Sequence, residues 1–323
     1  MEHTTMTLES ASVRVVRKPW GRTDLRPWSE LGHDGSPIGE LWFQRADAGA
    51  PEPALLLKLL FTDEALSIQV HPDDTFAQAI GLPHGKSEAW YVLAADAGAK
   101  VSLGLRRSLT PSQLRAAIVD GSIADLTHHQ PIHVGDAVAV PAGTIHAIGA
   151  GLVIAEIQQR SDATFRLFDY GSRRDLHLDS AVGTATAGPA SAQAPARRLS
   201  EARLVVATSP YFILEQVDFA ANSHWEIDAE TETWMLLLEG GAILDDLKLA
   251  SGETAFIDAQ RVRLGIGNAP VRALIAYVGD TPATNLLQSR NGEVQSPANG
   301  RFPEFGKVRE LNASQAPSGG TNS

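Results

Sequence analysis

Four side chains in three short stretches are of the right types to hold one divalent metal. Ser67-Ile68-Gln69-Val70-His71 reads as a strand, Lys86-Ser87-Glu88 opens a second, and Pro141-Ala142-Gly143-Thr144-Ile145-His146 caps a third. Gln69, His71, Glu88 and His146 would supply two imidazole nitrogens, a carboxylate and an amide oxygen, a donor set suited to an ion of the zinc kind. Strand side chains alternate between faces, so Ser67, Gln69 and His71 share a polar face while Leu66, Ile68 and Val70 share an apolar one. A metal held this way, in a chain of this length, points to chemistry on a small molecule.

The bulk properties narrow the field. A chain of 323 residues buries a large core and fits one large or two ordinary domains. Its formal net charge of −11 repels nucleic acid and anionic membrane, so neither is an expected partner. An anionic substrate would need a local cluster of Lys and Arg set against that field. The absence of cysteine removes disulfides, thiolate ligands and a cysteine nucleophile together, and fits a reducing compartment. Residues Met1 to Met6 lack the basic-then-apolar pattern of a signal peptide. Apolar runs fall short of the ~20 residues that span a bilayer. A cytoplasmic protein is expected. No feature specifies an oligomer, and a monomer is the simplest expectation.

The elements that must position these residues are mostly short strands. Leu55 to Leu60, Ala65 to Val70, Glu88 to Leu93, Ala137 to Val140, Leu152 to Gln158 and Thr164 to Tyr170 are β-rich and separated by Gly, Pro or Asp. The style returns at Tyr211 to Phe219, Thr233 to Glu239, Thr254 to Ile257 and Arg272 to Val278. Helix signals are few. Thr110-Pro111-Ser112-Gln113 is a capping box with Pro at the first helical position, and Asp73 to Ile80 reads as a second short helix. The fold class expected is mainly β, with two jelly-roll β-barrels and a few short helices. The expected division is a metal-binding body over 1–183 with a helical insertion and a linker over 184–199. A second barrel without metal follows over 200–290, then a loosely ordered tail over 291–323 with one docked patch at Phe302 to Phe305.

From Gly135 the chain runs Gly-x5-Pro-x-Gly-x2-His to His146, the second signature of the cupin barrels, met without a gap. Leu66 to Asp74 and Gly85-Lys86-Ser87-Glu88-Ala89-Trp90-Tyr91 precede it, and Glu156-Ile157-Gln158-Gln159 and Ser161 to Arg166 follow it. Together with Lys18-Pro19-Trp20-Gly21 and Gly39-Glu40-Leu41-Trp42, they resemble the type I mannose-6-phosphate isomerases in their short bacterial form. The resemblance runs in register from about residue 15 to 180 and continues more weakly beyond. Two departures stand out: Gln69 replaces the first His of the generic cupin signature, and Gly85 stands where the family often has a His before its Lys.

The resemblance implies the same four metal ligands, one divalent ion per chain, normally zinc, and a small-molecule sugar phosphate as substrate. The implied reaction is the interconversion of mannose 6-phosphate and fructose 6-phosphate through a cis-enediolate. It places Lys58, Ser67, Lys86 and Arg166 in the substrate pocket, and Arg173 is added from where its loop should lie. Three or four cations suit a dianionic phosphate. Lys86 and Arg166 are expected to take part in catalysis, with the base open between Glu156, Asp162 and a water on the metal. Two other readings are a cupin oxygenase using iron and a barrel that senses a sugar phosphate without turning it over; the basic cluster disfavours the first. The scattered histidines His84, His128, His129, His133 and His177 are expected at the surface. Trp20, Trp42 and Trp90 are expected in the core.

Overall fold

A computed structural model describes residues 7–32, 35–171 and 174–290. Its first half holds strands β1 (Thr7–Ser10), β2 (Ser12–Arg22), β3 (Ile38–Gln44), β4 (Leu55–Thr62) and β5 (Ile68–Val70), then helix α1 (Asp74–Ala79). Next come β6 (Glu88–Ala95), β7 (Lys100–Leu105), α2 (Pro111–Asp120), α3 (Ile123–Leu126), β8 (Thr127–Pro131), β9 (Ala137–Val140), β10 (His146–Ile148), β11 (Leu152–Gln159), β12 (Phe165–Phe168) and α4 (Leu178–Thr184). The second half is all strand: β13 (Arg197–Arg198), β14 (Arg203–Thr208), β15 (Phe212–Phe219), β16 (His224–Ala229), β17 (Thr233–Glu239), β18 (Gly241–Leu244), β19 (Leu247–Ala250), β20 (Thr254–Asp258), β21 (Gln260–Ile266), β22 (Val271–Val278) and β23 (Leu287–Ser289).

These strands form four antiparallel sheets in two pairs. The order β2-β3-β4-β11-β6-β9 faces β12-β5-β10-β7-β8 across the first lumen. The order β1-β20-β17-β22-β15-β14-β13 faces β19-β18-β21-β16-β23 across the second. The two larger sheets lie back to back. Leu57, Leu59, Phe61, Ala89 and Tyr91 of one pack on Phe212, Leu214, Trp234 and Phe256 of the other in a single buried cluster.

Strand β4 shows why. All eight of its residues are buried. Leu55, Leu57, Leu59 and Phe61 join the core between the barrels, while Leu60 joins the core of the first barrel. A strand sandwiched on both faces reads as a continuous apolar run, and its one interruption, Lys58, falls on the lumen side. The capping box is present as expected: the Thr110 hydroxyl accepts from the Gln113 amide, and Leu114, Ala117 and Ile118 are the buried face of α2. That face covers the outer side of the smaller sheet of the first barrel, over Ile68 and Val70.

Two organisational expectations meet a different arrangement. Strand β1, counted with the first body, pairs along its whole length with β20 of the second barrel. The stretch read as a linker also carries contacts: Leu109 and Leu105 donate backbone hydrogen bonds to Ala187 and Gly188, and Gln193 bonds both backbone groups of Ala139. Small residues cannot fill a core, but they let a backbone lie flat on a sheet, and composition alone does not separate the two. The tail over 291–323, with Phe302 to Phe305, lies outside the described residues.

Trp234 is fully buried between the barrels, edge-on to Phe256 at 4.9 Å, with its indole N–H donated to Glu232 at 2.9 Å. Trp234→Ala should cost about 3–5 kcal/mol in denaturant unfolding. A loss under about 1 kcal/mol would contradict a shared core between the two barrels.

Candidate metal centre and active site

Strand register builds the site as two facing rows. Across the smaller sheet, Arg166 stands opposite Gln69, and Gln69 opposite His146. Across the larger sheet, Trp42 stands opposite Lys58, Lys58 opposite Glu156, and Glu156 opposite Trp90. Directly opposed residues of an antiparallel pair project to the same side, so each row lines the lumen. Glu88, two residues before Trp90, points the same way, and His71 follows β5 from the opposite sheet.

Here His71, Glu88 and His146 converge. Each offers one ligand atom, and those atoms all lie within 4.8 Å of one another, fully enclosed. His71 Nε2 is 3.3 Å from Glu88 Oε2, and His146 Nε2 is 3.5 Å from Glu88 Oε1. The far nitrogen of each ring faces a backbone carbonyl: His71 Nδ1 that of Ala163 and His146 Nδ1 that of Thr144, both at 2.8 Å. A carbonyl can only accept, so Nδ1 carries the proton and the Nε2 lone pair faces the cluster, the orientation of a metal-ligating histidine.

Further features fit a bound cation. Glu88 Oε2 is buried without a hydrogen bond. The Lys86 ammonium lies 2.9 Å from that oxygen but off the hydrogen-bonding direction, and 3.1 Å from His71 Nε2. A positive group thus already sits beside two of the candidate ligands. The Gln69 amide nitrogen lies 3.3 Å from His146 Nε2, and its oxygen accepts from the Ser67 hydroxyl at 3.1 Å. A half-turn of the amide presents the oxygen to the cluster, and the Ser67 hydroxyl accepts as readily as it donates. The four side chains therefore fit one divalent ion.

Buried charge sets the electrostatics. Burial pushes His71 down to about 3, helped by the Lys86 charge, and burial lowers His146 too, so both rings are neutral near pH 7. Burial alone would raise Glu88, but the Lys86 charge holds it well below the ordinary carboxylate range. Burial would likewise lower Lys86, and Glu88 and Glu156 outweigh it, so the ammonium stays charged. Glu156 moves the other way, raised by burial and by the Glu88 charge. Its Oε1 lies 3.4 Å from Lys58, and its Oε2 accepts from the Trp90 indole at 3.2 Å.

The residues singled out from sequence divide clearly. Gln69, His71, Glu88, His146, Lys58, Ser67, Lys86, Glu156 and Arg166 share one lumen, and the Arg166 Nε is buried without a hydrogen bond. Asp162 does not join them: it is exposed on the loop between β11 and β12. Arg173 lies outside the described residues. Of the tryptophans, Trp20 and Trp90 are buried, while Trp42 is half-buried with the Lys58 ammonium 4.5 Å from its ring centre. Two lumen residues were missed. Glu40 carries a second carboxylate to Lys58 at 3.6 Å. Gln158 stands across from Glu88, fully buried with its amide oxygen unpaired. Alternation from Trp42 and from Glu156 was the available signal for both.

Two facing antiparallel barrels with a buried His/Glu/His group in one lumen define a cupin-type fold with a candidate metal centre. No family model matches the chain. It is 34% identical over 192 residues to mannose-6-phosphate isomerase of Streptococcus mutans, covering 56% of this chain and 60% of that protein. It is 38% identical over 135 residues to mannose-6-phosphate isomerase ManA of Bacillus subtilis, covering 40% of this chain and 42% of that protein. The chain thus spans about half the length of the curated relatives it matches. In fold, it superposes on the mannose 6-phosphate isomerase of Bacillus subtilis with a TM-score of 0.73 at 25% identity, covering 84% of this chain and 100% of that one. A zinc-bound mannose 6-phosphate isomerase gives 0.64 at 19% identity, over 84% of this chain and 99% of that one, which is a likeness of fold. The chain is thus similar in sequence and in fold to mannose-6-phosphate isomerases, the family its motifs resemble.

His71 sets a pH dependence in the metal-free protein. Its folded value of about 3 lies below the ordinary 6.5, so the unfolded chain takes up the proton first as pH falls. The stability it contributes is whole above about pH 6.5 and is lost toward pH 3. His71→Gln should therefore lose about 2 kcal/mol less stability than wild type between pH 7 and 5 in urea titrations. Equal losses would contradict a neutral buried imidazole.

Proposed function

We propose that the chain is a metal-dependent aldose–ketose isomerase that interconverts mannose 6-phosphate and fructose 6-phosphate in the cytoplasm. The observation that carries this reading is the charge inventory of the first lumen. Lys58 and Lys86 pair with Glu40, Glu88 and Glu156, Lys18 also reaches Glu40 at 3.8 Å, and Arg166 lines the same lumen. One divalent ion on Gln69, His71, Glu88 and His146 then leaves the lumen net positive, the complement of a phosphate dianion. Zinc suits the donor set. The names of the relatives support the substrate, and the zinc-bound neighbour supports the ion.

When bound, the ion supplies a Lewis acid for the sugar oxygens at C1 and C2. The chain's own residues do the rest. Lys58, Ser67 and Arg166 hold the phosphate and sugar hydroxyls, and Arg173 is added to them from the place of its loop in the sequence. The Lys86 ammonium offsets negative charge as it develops on the enediolate oxygens. Glu156 takes the proton from C2 and returns it to C1, while the C2 hydroxyl proton passes to the C1 oxygen. Its carboxyl is raised by burial, as a proton-transfer group near neutral pH requires. Asp162, being exposed, is the weaker choice for that role.

A coupled assay for fructose 6-phosphate tests the reading. Activity should disappear with EDTA and return with zinc. Arg166→Ala should lower turnover ~100-fold or more, and Glu156→Gln by 10²–10⁴ with metal content intact, as orders of magnitude. No isomerisation in the zinc-loaded protein, or stoichiometric iron with oxygen uptake, would overturn it.

A further inference from the structure

The segment that carries Lys86 and Glu88 into the lumen is held from behind by groups outside the candidate ligand set. Asp74, the first residue of α1, accepts two hydrogen bonds on one carboxylate oxygen: from the Gly85 amide at 2.7 Å and from the Gln159 side chain at 3.0 Å. Gln159 is 5% exposed, and its amide oxygen accepts from the Ser87 backbone at 2.9 Å. Its own backbone N–H bonds the Ser87 carbonyl at 3.1 Å. The Lys86 amide meets the Pro72 carbonyl at 2.8 Å, and the Gly143 amide meets the His71 carbonyl at the same distance. The Ser87 hydroxyl accepts from the Ala142 amide at 3.2 Å. All three ligand-bearing turns are thereby tied together. At Gly85 a Cβ would fall 2.5 Å from the Asp73 carbonyl carbon and 2.6 Å from the Asp74 nitrogen, so only glycine lets the two backbones meet.

We infer that Asp74 and Gln159 are positioning residues, a strut that sets Glu88 and Lys86 relative to the two histidines. The inference rests on the metal site proposed above. Glu88 meets its ligand partners only if the turn 85–87 keeps its place. Side chains that hold ligands from outside typically carry 10–100-fold in metal affinity.

The test is zinc affinity by competition with a chromophoric chelator, alongside amide exchange at Gly85 and Ser87 in the metal-free protein. Asp74→Ala should weaken zinc 10–100-fold and speed both amides. Asp74→Asn keeps an acceptor oxygen and should restore most of both. Gln159→Ala should weaken zinc similarly, and adding Asp74→Ala to it should cost little more. In the isomerase assay the strut variants should lower kcat more than they raise KM. A wild-type chain that binds zinc without isomerising sugar would overturn the proposed function and leave these affinities to be read. Unchanged zinc affinity in Asp74→Ala, unchanged exchange at Gly85 and Ser87, or failure of Asp74→Asn to rescue would overturn the strut.

Discussion

Glu88 is a carboxylate cut off from water, and the first barrel is arranged around that fact. Taking such a group out of water costs several kcal/mol unless opposite charge and hydrogen bonds replace the lost hydration. Here one oxygen takes the Trp90 indole at 3.1 Å, and the other has the Lys86 ammonium at 2.9 Å with no hydrogen bond of its own. The arrangement is incomplete for an isolated carboxylate and complete for a metal ligand. The same logic extends along the lumen. Lys58 is buried and shared by Glu40 and Glu156, and Glu156, with less compensation, shifts toward its neutral form.

Such charges persist only inside a rigid wall. The wall is the larger sheet of the first barrel, whose central strands β4, β6 and β11 are buried on both faces nearly end to end. Its outward residues form the core shared with the second barrel, and its inward residues carry Lys58, Glu88, Trp90 and Glu156. The second barrel therefore turns what would be a solvated sheet face into a packed one. The smaller sheet is backed by α2 and α4 over Ile68 and Val70, beneath the turns bearing His71 and His146. Both ligand-bearing surfaces thus rest on dense packing, and their rotamers follow from it.

Much of this was legible in the residues. Period-2 alternation placed Gln69 and His71 on one face, and the Pro-x-Gly turn before His146 marked where the chain re-enters the lumen; Gly143 sits there at φ +83°. Strand β4 was legible because a leucine run broken by one lysine suits a strand packed on both faces with a single charge turned inward. What escaped was pairing between distant segments. Nothing local in Thr7–Ser10 says that it pairs with Thr254–Asp258. Nothing in the Ala- and Ser-rich stretch after α4 distinguishes a free linker from a backbone laid along a sheet. Glu40 and Gln158 escaped for another reason. Their importance depends on which strands become neighbours, and register is a property of the folded sheet. Asp162 differs again: its loop leaves it in solvent, which the spacing of its motif does not tell.

The central claim is that one divalent ion is held between His71, Glu88 and His146 inside the first barrel. The direct measurement is anomalous scattering at the zinc edge from crystals of the protein grown with zinc. One strong peak within bonding distance of both Nε2 atoms and the Glu88 carboxylate, with the Gln69 oxygen turned toward it, is the expected result. A fully occupied peak elsewhere, or none in that lumen while His71 and His146 remain bonded to Lys86 and Gln69, would contradict it.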